Sequence, residues 1–157
     1  MIGALIVSFG LGFVAGLRSM TPLAVVAWAS RLGWMNLSNS RLAFMSSGWA
    51  VALFTLAALG EYVADLLPGT PARTAPFPLT ARIAVGLLTG ASVAIAGGFA
   101  LWVGMLGGAM GAIAGAFGGY RARGGLVRAL HMPDAAIAIP EDVIALSLGL
   151  LLAYTLK

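Results

Sequence analysis

Apolar positions in this chain come in long unbroken runs, and polar positions are confined to the gaps between them. Residues 2–17 form 16 apolar or small positions, a little short of the ~20 that cross ~30 Å of hydrocarbon. Arg18-Ser19-Met20-Thr21-Pro22 interrupts this run, and a second apolar piece at 23–35 carries Arg31. Proline following Ser or Thr marks a helix start. The pattern therefore predicts a helix, a break with a fresh N-terminus at Thr21-Pro22, and a short helix. The polar stretch 36–41 reads as a loop. Residues 42–67 read as a full-length transmembrane helix stopped by Pro68 and Gly69. Residues 83–120 are 38 positions without a charge, roughly 57 Å of helix or two crossings, with a tight hairpin expected near 104–108. Residues 120–132 carry Arg121, Arg123, Arg128 and His131. They read as a polar connection with a short amphipathic helix. Ile139-Pro140-Glu141-Asp142 then starts the last helix, which runs to Lys157.

These elements predict an all-α fold: a polytopic transmembrane bundle of about five spanning helices plus short broken or re-entrant helices, in a single membrane domain over 1–157. Composition strengthens the expectation. The chain is 61% hydrophobic and 9% charged, where a soluble domain carries about 25% charge, and its mean hydropathy is +1.00. Only helices or closed barrels satisfy backbone polar groups in lipid, and the runs are too long for the ~10-residue strands of a barrel. No basic residue precedes Arg18, so the N-terminal run reads as a retained first helix rather than a secretory signal.

Charge and residue usage narrow the chemistry. With no cysteine and one histidine, disulfides, thiolate metal sites and histidine relays lose their raw material. The net charge of +4 is spread over short loops, without the basic block that nucleic-acid binding requires. No cofactor, metal or catalytic residue is expected. The expected partners are the lipid bilayer and either further copies of the chain or other membrane subunits. Orientation is undetermined: a five-span chain puts Arg18, Arg31, Arg41 and Lys157 on one side and Arg73, Arg82, Arg121, Arg123 and Arg128 on the other, no usable bias.

The candidate site centres on residues 60–82. This stretch holds Pro68, Pro71, Pro76 and Pro78, the acids Glu61 and Asp65, and then Arg73 and Arg82. Glu61 and Asp65 are one turn apart and share a helix face. Carboxylates near hydrocarbon are costly unless paired or hydrated. They read either as interfacial acids satisfied by arginine or as a site binding a cation or relaying protons. The stiff proline-rich segment is expected to fold back and carry Arg73 to these acids. Arg18 and Thr21 at a helix N-terminus form either an anion cradle or a loop facing lipid headgroups. Glu141 and Asp142 follow a proline and read as helix-start acids that gain interest if they meet Arg18 or Arg73. Gly107, Gly111, Gly115 and Gly119 recur every fourth residue, a stripe that lets another backbone approach. A faint echo relates Gly12, Gly16, Arg18, Arg31 and Met35 to Gly111, Gly115, Arg121, Arg128 and Met132. It suggests a weak inverted repeat, a transporter habit.

GLRSMTPLA at 16–24, E-x-x-x-D-x-x-P at 61–68 and P-x-R-T at 71–74 with Arg82 following resemble the bacterial DUF4126 membrane proteins, over most of the chain. The resemblance implies a polytopic protein of the bacterial cytoplasmic membrane. It implies no reaction, because the family is defined without a known function. Three functions stay open: a small transporter or channel with a buried acid/arginine site, a structural or accessory subunit of a membrane complex, and an enzyme acting on a lipid phosphate.

Overall fold

The computed structural model describes residues 2–66 and 73–157, apart from the side chain of Ala135. All regular structure among them is helical: α1 (Ile2–Leu17), α2 (Met20–Arg31), a 3₁₀ turn (Ala43–Ser46), α3 (Gly48–Asp65), α4 (Pro76–Gly97), α5 (Leu101–Leu130) and α6 (Asp134–Tyr154). Three of these, α4, α5 and α6, are long and apolar enough to cross a membrane. With α1 and α3 of 16 and 18 residues beside them, about five spans is compatible with the bundle. The sixth helix, α2, has 12 residues, eight of them buried, so it lies within the bundle as a short re-entrant piece.

The break at Arg18 is a reversal. Val14 on α1 and Val25 on α2 both lie against Gly149 of α6, so α2 runs back alongside α1. Each later helix reverses again. The C-terminal ends of α1, α3 and α5 therefore meet the N-terminal ends of α2, α4 and α6 at one end of the molecule.

Four sequence expectations are corrected. The hairpin of the long uncharged run lies at 98–100, not at 104–108: Gly98, at φ 65°, caps α4 in the left-handed region, where glycine carries no Cβ penalty. Residues 42–67 are not one helix. Ser47 is extended at ψ 148° and accepts a hydrogen bond from the Ala50 N–H, which caps α3 and separates it from the 3₁₀ turn. The expected stop at Pro68-Gly69 falls outside the described residues. Residues 120–132 are no connection, since α5 continues to Leu130 and ends at left-handed His131. Finally, α6 starts at Asp134 and carries Pro140 inside it. A proline near a helix start forfeits one early hydrogen bond, and the added first turn places Asp134 against Arg123. The continuity of α5 also means that the second half lacks the reversal of the first, so the two halves of the suggested repeat differ in form.

Glycine makes the central contact. Gly111 and Gly115 of α5 face the carbonyls of Phe9 and Phe13, and Gly12 and Gly16 of α1 face those of Gly108 and Ala112. Gly107 lies in looser contact with Ser8 of α1. On its other side α5 presents Gly104 and Gly108 to Gly86 and Gly90 of α4. A methyl group at any of the glycines facing backbone would overlap it. Helix α5 is thus held backbone to backbone between α1 and α4, the close approach that small residues permit in membranes.

The exposure pattern is the reverse of a soluble protein. Arg18 is 1% exposed while Leu56 is 67% exposed. Leu53, Leu59 and Val63 on α3, Leu106, Met110 and Ile113 on α5, and Val143, Ile144 and Leu151 on α6 also point outward. Apolar side chains outside and guanidinium groups inside suit a protein embedded in a membrane.

Candidate functional site

The converging helix ends carry all five carboxylates of the chain and four of its arginines. The chemistry begins at the reversal between α1 and α2. The last turn of α1 leaves carbonyls without intrahelical partners, and the first turn of α2 leaves N–H groups without them. Arg82 of α4 fills the first need, its Nη1 donating to Leu17 O at 2.9 Å and Gly16 O at 3.1 Å. Glu61 of α3 fills the second, its two oxygens accepting from the Ser19 and Met20 N–H groups at 2.8 Å each. The charges match the helix dipoles, cation on a C-terminus and anion on an N-terminus. Arg82 and Glu61 in turn approach each other at 3.8 Å. Thr21 Oγ1 shares a 2.8 Å hydrogen bond with the Tyr62 hydroxyl.

Around this joint the remaining charges pair across helices. Arg18 donates to Asp65 at 2.7 Å and also to Asp142. Arg73 forks onto Glu141, a bidentate geometry that suits guanidinium and carboxylate. Gly119 makes room for this pair, since a Cβ there would crowd both Leu17 and Arg73. Arg123 bonds Asp65 and Asp134 and reaches Glu141 at 3.5 Å. Asp134 is 63% exposed at the edge, leaving four inner carboxylates to balance four guanidiniums. Burial pushes the Arg18 pKa down, but the Asp65 hydrogen bond and the field of Asp65, Asp142 and Glu141 outweigh it, so the net shift is upward. Arg18 therefore stays ionised at neutral pH. Asp65 accepts from both Arg18 and Arg123. Among the arginines of the network, Arg82 has an Nε that is buried without a hydrogen-bond partner.

The eight polar candidates, Arg18, Thr21, Glu61, Asp65, Arg73, Arg82, Glu141 and Asp142, thus lie in one contiguous cluster. Their pairing differs from the sequence expectation. Arg73 reaches Glu141, not Glu61 or Asp65, because Asp65 is taken by Arg18 and Arg123 and Glu61 by the start of α2. The N-terminus of α2 is likewise no open anion cradle, since Glu61 occupies it. Arg18 groups with Arg73, Arg82 and Arg123, away from Arg31 and Lys157, because the chain reverses at it. The sequence reading missed Arg123, Asp134 and Tyr62. A signal for Arg123 existed: the stripe Gly107, Gly111, Gly115, Gly119 lands on it at the next step of four. At the opposite end of the bundle, Ser30, Gly33, Met35, Asn36, Leu37, Ser38 and Ser46 line a cleft of about 260 Å³.

The family described as Domain of unknown function (DUF4126) matches residues 5–156. The chain belongs to the DUF4126 family. No curated protein and no solved structure matches it. For this DUF4126 protein the charge cluster is therefore read from its own geometry. That geometry ties six helix ends together through paired charges.

Proposed function

We propose that this protein is a small membrane transporter or channel, with the α1/α2 joint as its ion site and the surrounding charge network as its gate. The observation that carries the reading is how the joint is filled. An interrupted helix pair offers a cation place at its carbonyl end and an anion place at its N–H end, an arrangement transporters use to hold substrates and coupling ions. Here Arg82 and Glu61 stand in those places. Each belongs to a different neighbouring helix, so a shift of α3 or α4 opens the joint to an ion. The incomplete bonding of Arg82 makes it the member most easily withdrawn.

Purified protein in vesicles loaded with a pH- or cation-sensitive dye tests the reading. Wild type is expected to dissipate an imposed gradient, and Glu61→Gln to fall to the rate of empty vesicles. Wild-type vesicles no leakier than empty ones to protons and alkali cations reject it.

The close backbone packing of α1, α4 and α5 favours a second reading, a structural or accessory subunit, since no lumen separates these helices. Stoichiometric membrane partners retained through purification in mild detergent support it, while a homo-oligomer with flux supports transport. A lipid-phosphate enzyme has no specific observation behind it: the carboxylates that would hold a divalent metal are paired with arginines.

A further inference from the structure

We propose that the C-terminal end of α5 is a docking site for anionic phospholipid headgroups, with Arg121 and Arg128 as its phosphate-binding groups. The argument starts from the charge inventory. All five carboxylates pair within the network, four inside it and Asp134 at its exposed edge. Arg123 turns inward to join them. Arg121 and Arg128 are exposed and have no carboxylate partner among the described residues. The outer surface here therefore carries cationic charge that nothing in the described structure neutralises.

Placement follows from helix length. At 30 residues α5 is about 45 Å long, well beyond ~30 Å of hydrocarbon. The excess lies at its C-terminal end. Arg123 pairs with Asp65, the last residue of α3, and with Asp134, the first of α6. Residues beyond 123 therefore project past the ends of both neighbours, to the depth of headgroups. Arg121 and Arg128 are seven residues apart, two turns and roughly 10 Å along one face. Gly124 sits on that face with open space around it, so a phosphate can approach the helix closely. The Arg121 guanidinium lies 5.9 Å from the Phe117 ring, which steadies it by a cation–π contact.

The occupant is a lipid rather than a protein or nucleic acid because the same tip exposes Leu126, Leu130 and Met132. Basic and apolar side chains together at the end of a membrane-embedded helix match an anionic headgroup above acyl chains.

The test uses the full chain in nanodiscs, comparing phosphatidylglycerol with phosphatidylcholine, with lipid retention read by native mass spectrometry. Wild type should retain phosphatidylglycerol selectively, and the selectivity should weaken as salt rises. At ~1 kcal/mol per basic residue near an anionic surface, Arg121→Gln with Arg128→Gln should lower it roughly 30-fold. Arg121→Lys with Arg128→Lys should keep most of it, and Arg41→Gln, an exposed arginine near the opposite end, should keep all. Equal retention of the two lipids by wild type overturns the proposal without reference to any variant. So does a double glutamine variant that folds and keeps full selectivity, or inorganic phosphate that competes at equal concentration.

Discussion

Arg18 is the most deeply buried cation of the network. It stands at the reversal of the chain, is 1% exposed, and bonds both Asp65 of α3 and Asp142 of α6. Removing one partner of a buried pair leaves an uncompensated charge, a lesion of about 3–5 kcal/mol. Arg18→Ala strands Asp142 and leaves Asp65 with Arg123 alone, so it should cost about that much in unfolding measured in detergent. Arg41→Ala, exposed, should stay within about 0.5 kcal/mol. A small loss at Arg18 would mean that water reaches the acids. At this scale the sequence showed which residues needed partners, because acids beside apolar runs have few ways to be satisfied. It did not show which partner each would take. Arg73 reaches Glu141 across 68 residues of chain, and that choice is set by helix crossings that no local pattern encodes.

At the scale of elements, glycine sets the distances. Gly108 faces the backbone of α4 at Gly86 and Gly90, so a side chain there would push α4 and α5 apart. Gly108→Leu should cost at least about 2 kcal/mol by overpacking. Thermal unfolding in detergent measures this, and an unchanged melting temperature would show that α4 and α5 are not in contact there. Helix α1 was legible to the residue because a charge follows directly on an apolar run. The α4/α5 hairpin was not, because a chain with 22 glycines offers many turn signals. Gly98 turns the chain, whereas Gly104 and Gly108 serve helix packing, and only the packed neighbours tell them apart. The polar tail of α5 was misread for a related reason. Arginines and glycines resemble a connection until Arg123 is seen bonded to Asp65 and Asp134.

At the scale of the whole molecule, the charge network joins all six helices at one end. It links α1 through its last carbonyls, α2 through its first N–H groups, and the other four through their charged side chains or flanking residues. On the proposed transport reading, opening means releasing this tie. Thr21 lies behind the tie and is 1% exposed. The chain has no cysteine of its own, so a single thiol at this position reports on the gate alone. The most direct measurement is the rate at which a membrane-impermeant thiol reagent labels Thr21→Cys protein in sealed vesicles. The account predicts slow labelling in an otherwise wild-type background, and fast labelling from the network side when Glu61→Gln or Arg82→Gln is added. Equal rates in all three proteins, each still folded, would show that the network is a fixed structural clamp and would contradict the gate.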